Sequence, residues 1–156
     1  MKAKKLEDIL PDGLKAEIFG SLESRIYGLS IDSRKVDKGF VYAALKGTLT
    51  DGHQFIDQAI GQGAICIICE EVDEKRKGVT YIVTNQVRTL IGEMADLFFD
   101  QPSRQLHLTG VTGTNGKTTI STLLYQLFTA FGYKCGLIST VENKIGDVTL
   151  MATHTT

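Results

Sequence analysis

The segment Gly110-Val111-Thr112-Gly113-Thr114-Asn115-Gly116-Lys117-Thr118-Thr119 constrains this chain more than any other. It lies between an apolar run, Leu106 to Val111, and a stretch from Lys117 to Phe131 in which Ile120, Leu123, Leu124, Leu127, Phe128 and Phe131 recur at helical spacing. A strand that passes through a glycine loop into a helix leaves the helix's first N–H groups facing the loop. Glycines at 113 and 116 let the loop amides turn inward around an anion, and the helix dipole adds positive potential there. Lys117 would reach the β- and γ-phosphates of a nucleoside triphosphate, and Thr118 would offer a hydroxyl to Mg²⁺. The general pattern G-x-x-x-x-G-K-[ST] wants a glycine five residues before Gly116; that position is Val111, and the glycine lies one earlier, at Gly110. An ordinary glycine turn accounts for the glycines but not for Gly-Lys-Thr-Thr at a helix start. Gly113, Thr114, Asn115, Gly116, Lys117, Thr118 and Thr119 are therefore read as a phosphate loop. Taken alone, the loop leaves phosphoryl transfer, ligation and switching all open.

After the helix, Gly132 is a plausible stop and Lys134 to Val141 supplies a returning strand, so the segment predicts a βαβ unit with parallel strands and a right-handed crossover. Glu142 and Asp147, the only carboxylates beyond the loop, are read as decorating an exposed hairpin around Gly146-Asp147 rather than as a second Mg²⁺ ligand. Upstream, Asp100-Gln101-Pro102-Ser103 is the best domain junction, because proline turns its predecessor away from helix and the neighbours are polar. It divides residues 1–100 from 101–156.

The first part alternates strands and helices. Ile26–Ile31, Phe40–Leu45, Ala64–Cys69 and Val79–Val83 read as strands. Phe55, Ile56, Ala59 and Ile60 mark one helix, and Val87, Leu90, Ile91, Met94, Leu97 and Phe98 another that stops before Pro102. The fold class is α/β: a small N-terminal α/β domain followed by the start of a parallel-sheet phosphate-loop domain.

A length of 156 residues allows one domain or two small ones, and 42% hydrophobic with 22% charged residues argues against general disorder. Seventeen Lys and Arg against eighteen Asp and Glu give no basic excess for nucleic acid. The charged start Met1-Lys2-Ala3-Lys4-Lys5 lacks a signal peptide's apolar core, and no apolar run is long enough to span a membrane, so a cytoplasmic protein is expected. Cys66-Ile67-Ile68-Cys69 spells C-x-x-C, but its continuous apolar setting reads as a buried strand. Residues three apart on a strand face opposite ways, so the thiols should diverge.

The variant Thr112-Gly113-Thr114-Asn115-Gly116-Lys117-Thr118-Thr119 resembles the phosphate loop of the Mur ligases, ATP-dependent peptide-bond-forming enzymes of peptidoglycan synthesis. The match continues in Asp32-Ser33-Arg34, Asp37-Lys38-Gly39, Ala44-Leu45-Lys46-Gly47, Asp51-Gly52-His53, Pro102-Ser103 and Gly136 to Val141. It covers essentially the whole chain and is most similar to the members that add a diamino acid. Family chains run about three times longer, so the resemblance implies a fragment, residues 1–100 being a UDP-sugar substrate-binding domain and 101–156 the truncated start of the ATP-binding central domain.

Carried over position by position, the resemblance implies that Ile31, Ser33, Thr48, Leu49 and Thr50 line the uridine end of UDP-N-acetylmuramoyl-L-alanyl-D-glutamate. Gly113 to Thr119 would hold ATP, with Lys117 catalytic and Thr118 on Mg²⁺, and His154, Thr155 and Thr156 would begin the muramoyl-peptide contact. By their own chemistry, Ser33 and Thr48 could equally be turn residues bonding their own backbone. His53 reads as a helix-start residue and His107 as packing. The implied reaction joins a diamino acid, selected outside this chain, to the D-glutamyl carboxylate through an acyl phosphate. Two rivals stay open: the ligase of the next step in the same pathway, and a non-catalytic nucleotide-binding module. The fragment alone is expected to be inactive, with apolar faces of 106–141 uncovered.

Overall fold

Phe40–Ala43 and Ala64–Cys69 are apolar at both parities, the pattern of strands covered on both faces. The computed structural model describes residues 3–47, 50–146 and 148–151, and its backbone separates into two units, Met1–His107 and Leu108–Thr156. The strands of the first unit are β1 (Lys4–Lys5), β2 (Glu17–Phe19), β3 (Arg25–Ile26), β4 (Gly28–Ser30), β5 (Phe40–Ala43), β6 (Ala64–Cys69) and β7 (Thr80–Val83). Its helices are α1 (Ile56–Gly61) and α2 (Val87–Phe98).

The main sheet has the order β2-β7-β6-β5-β4; β4 to β7 run parallel and β2 pairs antiparallel with β7. Register sets Val41 against Cys66 and Cys66 against Thr80, then Tyr42 against Ile67 and Ile67 against Tyr81. Period 2 then sorts the side chains into two cores. On one face Val41, Ala43, Cys66, Ile68 and Ile82 pack against Leu90, Met94 and Phe98 of α2 and against Leu6 and Ile9. On the other, Tyr42, Ala44, Ile67, Cys69 and Tyr81 pack against Ala59 of α1 and against Val36. Each of these larger side chains contributes about 1.5–3 kcal/mol by leaving water. The expected α/β class holds, and the two thiols of C-x-x-C lie in opposite cores, as the strand reading required.

Two upstream readings are corrected. Ile26–Ile31 is not one strand but β3 and β4: the first pairs with β1, the second with β5, and the Tyr27 N–H leaves the ladder to donate to the Gly39 carbonyl at 3.0 Å. The strand β2 was not read at all, because three residues without an adjacent partner in sequence give almost no periodic signal. As expected, α2 ends before Pro102. Asp100 and Gln101 take left-handed backbone angles (φ 61° and 55°), and the Gln101 N–H donates back to the Asp96 carbonyl. The turn Pro102–Gln105 falls within the first unit.

The second unit contains α3 (Lys117–Ala130), β8 (Gly136–Ile138), β9 (Glu142–Ile145) and β10 (Val148–Met151). Gly132, at φ 85°, closes α3. Its N–H donates to the Thr129 carbonyl and that of Tyr133 to the Phe128 carbonyl, while the Phe128 and Tyr133 rings meet edge to face at 5.8 Å. The expected parallel βαβ unit does not form. A strand persists only where a neighbour takes its backbone hydrogen bonds. Residues 106–111 have no such neighbour among those described and are not a strand, whereas β8 pairs antiparallel with β9 and β9 with β10. The expected hairpin is present as β9 and β10, with Glu142 at its start; Asp147 lies outside the described residues. Leu137 is buried, but Ile120, Leu123, Leu127, Phe128 and Phe131 of the helical stripe are exposed, in line with the uncovered faces expected of residues 106–141.

Burial drives the Cys66 thiol pKa sharply up and pushes that of Cys69 up to about 11, whereas Cys135 is only half-buried. Iodoacetamide at pH 8 should therefore label Cys135 in the native protein and reach Cys66 and Cys69 only in denaturant. Peptide mass mapping gives the readout, and native labelling of either strand cysteine would contradict the packing.

Candidate functional site

The phosphate loop is built by its glycines. Gly113 adopts φ 149° and Gly116 φ 79°, both in the region side chains disfavour, and Gly116 sits at the N-cap of α3 without any side chain capping the helix. The first helical bond runs from the Ile120 N–H to the Gly116 carbonyl at 2.9 Å. The N–H groups of Lys117, Thr118 and Thr119 thus precede any intrahelical acceptor, which is the arrangement that receives an anion.

The Lys117 ammonium folds over the loop, donating to the carbonyls of Gly113 at 2.6 Å and Thr114 at 3.4 Å. Phosphate oxygens are stronger, charged acceptors than these carbonyls, so the same ammonium would transfer to them. Thr118 occupies the second helical position, next to Lys117. The residues thus suit a nucleotide phosphate group. Among the described residues there is no cluster of three or more His, Cys, Asp or Glu suited to hold a metal on its own.

A second constellation lies in the first unit at the C-terminal ends of the parallel strands, where α/β sheets commonly take their ligands. Ile31 and Ser33 follow β4, and Lys46, Gly47 and Thr50 follow the adjacent β5, so the topology brings these two segments to one edge. Ile31 is half-exposed, whereas Ser33 is buried and its hydroxyl donates to the Gln58 side-chain Oε1 at 3.1 Å. Thr50 is exposed, and its carbonyl accepts from the Gly47 N–H at 3.0 Å. Thr48, Leu49, His154, Thr155 and Thr156 lie outside the described residues.

Several residues that hold this edge were not read as site residues. The Tyr42 hydroxyl donates to the Gly52 carbonyl at 2.9 Å; burial, with the charges of Asp32 and Asp51, pushes its pKa up to about 12 and keeps it a donor. Gly52 lies so close to the Leu45 backbone that a Cβ would fall 2.7 Å from the Leu45 nitrogen. Lys46 pairs with Glu70 at 2.9 Å and Glu71 at 3.3 Å, which raise its pKa. The spellings Ala44-Leu45-Lys46-Gly47 and Asp51-Gly52-His53 were the signals of this arrangement in the sequence. His53 does open the expected helical segment, as the second residue of the 3-10 turn Gly52–Phe55. A cleft of about 620 Å³ lies elsewhere, between the first turn near Glu7 and α2, and touches neither constellation.

Residues 25–98 match the Mur ligase family, catalytic domain, and residues 111–156 the Mur ligase middle domain. The UDP-N-acetylmuramoyl-L-alanyl-D-glutamate--2,6-diaminopimelate ligases of Bacteroides fragilis and Phocaeicola vulgatus are 48% and 46% identical over 153 residues, 97% of this chain and 32% of each relative. The chain spans about a third of the length of the curated relatives it matches. A solved UDP-N-acetylmuramoyl-L-alanyl-D-glutamate--2,6-diaminopimelate ligase superposes with a TM-score of 0.65 at 25% identity, covering 94% of this chain and 30% of that one. The MurF ligase of Thermotoga maritima in complex with ADP gives a TM-score of 0.51 at 31% identity over 65% of this chain and 23% of its own.

The Arg34 guanidinium, bonded to both oxygens of Asp32, holds that carboxyl down at about 2, while the Arg34 N–H also donates to it. A depressed native pKa stabilises the fold above the ordinary value of 3.8 and loses that contribution as pH falls towards about 2. Asp32→Asn should therefore flatten the fall in urea midpoint between pH 4 and pH 2 relative to the unsubstituted chain. Parallel curves for the two would show that the pair adds nothing to stability.

Proposed function

We propose, for a chain that belongs to the Mur ligase family, that it is the N-terminal part of an ATP-dependent ligase that joins a diamino acid to UDP-N-acetylmuramoyl-L-alanyl-D-glutamate. Residues 1–100 bind the nucleotide-sugar and 101–156 begin the ATP-binding domain. The observation that carries the ATP part of the reading is the loop, with Gly116 at the N-cap of α3 and the Lys117 ammonium over it, and the similarity to Mur ligases carries the ligation. The names of its relatives supply 2,6-diaminopimelate as the amine. Among solved structures, a diaminopimelate ligase superposes over 94% of the chain with a TM-score of 0.65, and a D-alanyl-D-alanyl ligase over 69% with 0.53.

In the proposed reaction a carboxylate oxygen of the D-glutamyl group attacks the γ-phosphorus of ATP and the bond to the β-phosphate oxygen breaks, leaving an acyl phosphate and ADP. The amine then attacks the acyl carbon, loses a proton, and expels inorganic phosphate to leave the amide. The N–H groups of Lys117, Thr118 and Thr119 and the Lys117 ammonium stabilise the charge that spreads over the transferring phosphoryl group. Thr118 is the residue that would hold a Mg²⁺ ion, which would supply further positive charge against the phosphates. Ile31, Ser33 and the segment Thr48, Leu49 and Thr50 hold the uridine diphosphate end, and His154, Thr155 and Thr156 begin the muramoyl-peptide contact. Such chemistry draws on cytoplasmic ATP, and no helix among the described residues is long and apolar enough to cross a membrane.

Lys117→Ala should abolish measurable ATP binding by this chain while leaving its circular dichroism unchanged, since the side chain is exposed and bonds only to the loop. In a chain extended to the length of its relatives, the same change should slow amide formation by roughly a hundredfold or more. Undiminished turnover would refute the loop's role. UDP should slow hydrogen exchange around residues 31–33 and at Thr50; protection confined to 113–119 would remove the uridine assignment.

A further inference from the structure

We infer that His53 is a positioning residue, the strut that ties Thr50 and Asp51 to the end of β6 and so holds Thr50 at the edge that also carries Ile31 and Ser33. The inference rests on the uridine reading of that edge and adds to it a residue that has no part in binding the ligand. Three bonds define the strut. The His53 N–H and its Nδ1 both meet Asp51 Oδ1, at 2.9 Å and 2.6 Å, and Nε2 accepts from the Glu70 N–H at 3.1 Å.

An imidazole that accepts at Nε2 must carry its proton at Nδ1, so the ring is neutral and donates to the Asp51 carboxylate. That carboxylate sits below its ordinary pKa range because the His53 N–H and ring both donate to it. Asp51 in turn forms a β-bridge with Lys46, which closes the turn, and Lys46 returns to Glu70 through its ammonium. Lys46, Glu70, His53 and Asp51 therefore make a closed ring around the base of the turn.

The members of this ring contribute unequally. The Lys46–Glu70 pair is more than a third exposed on the lysine side, and exposed pairs contribute little. The His53 side chain is only 14% exposed, and its ring is the one link that is both shielded from water and rigid. Gly52 adds a second constraint. Its N–H donates to the Leu45 carbonyl at 2.8 Å and its carbonyl accepts from Tyr42, so the chain is pinned through both backbone polar groups of the residue between Asp51 and His53. No bond of the ring passes through a group that the proposed reaction consumes, which separates holding from binding.

The two nitrogens can be tested separately, because glutamine can supply an acceptor near the Nε2 position and asparagine only a donor near Nδ1. Uridine diphosphate is the probe on this chain, with ATP affinity as the internal reference for the second unit. His53→Asn should speed exchange of the Glu70 and Gly47 amides at least tenfold and weaken UDP binding by about tenfold, with ATP affinity and the slow exchange of the β6 amides unchanged. His53→Gln should recover most of both losses. Rescue by glutamine is what a merely structural histidine would not show. Should asparagine loosen β6 as well, the glutamine variant alone decides: UDP affinity as weak as that of asparagine would overturn the strut. Unchanged UDP affinity in His53→Asn would overturn it too. Failure of the unsubstituted chain to bind UDP would instead sink the uridine reading, and the positioning role with it, even if exchange at Glu70 and Gly47 still followed His53.

Discussion

The first unit depends on β6 being covered on both faces and paired on both edges. Cys66 and Ile68 enter one core and Ile67 and Cys69 the other, so a register slip of one residue would exchange the two sets and empty both. Parallel pairing with β5 and β7 follows from this, because only helices on each side can cover such a strand, and α1 and α2 are placed to do it. The absence of polar side chains along β6 also explains the two cysteines. They fill the strand as small apolar groups, and their divergent directions and raised pKa values remove them from redox chemistry.

Because β4, β5 and β6 run the same way, the loops that leave them emerge together. This places Ile31 and Ser33, then Gly47 and Thr50, then Glu70 and Glu71 along a single edge without any long-range design in those segments themselves. What has to be specified locally is the path of the second loop. Gly52 is required by the nearby Leu45 backbone, Tyr42 reaches out of the core to hold its carbonyl, and His53 spans to the next strand. Core and edge are thus coupled through Tyr42, whose ring packs in the core and whose buried hydroxyl holds the Gly52 carbonyl.

How much of this was legible in the sequence follows from the range of the interactions. The strand Ala64–Cys69, the stripe of α2 and the helix from Lys117 were readable because each repeats its own pattern over several turns or residues. The break at Tyr27 was not, since it depends on β1 pairing with one side of the break and β5 with the other, partners far apart in sequence. Residues 106–111 were misread for the opposite reason: their composition favours a strand, but composition supplies no neighbour. Tyr42, Gln58 and Glu70 went unread as parts of the edge because nothing in their immediate surroundings separates a residue that holds a loop from one that fills a core.

The proposed phosphate loop escapes that limitation because of what recognises phosphate. Its donors are backbone N–H groups, and they are aimed by two glycine dihedral angles and a helix start that the same short segment encodes. A local sequence therefore suffices to build the anion cradle, even in a unit whose helix leaves Ile120, Leu123 and Phe131 exposed. The proposed uridine site would have to be assembled from side chains after separate strands, and Ser33, bonded to Gln58, already has a structural partner. The first kind of site can be read from a motif; the second becomes visible only when the sheet sets its loops side by side.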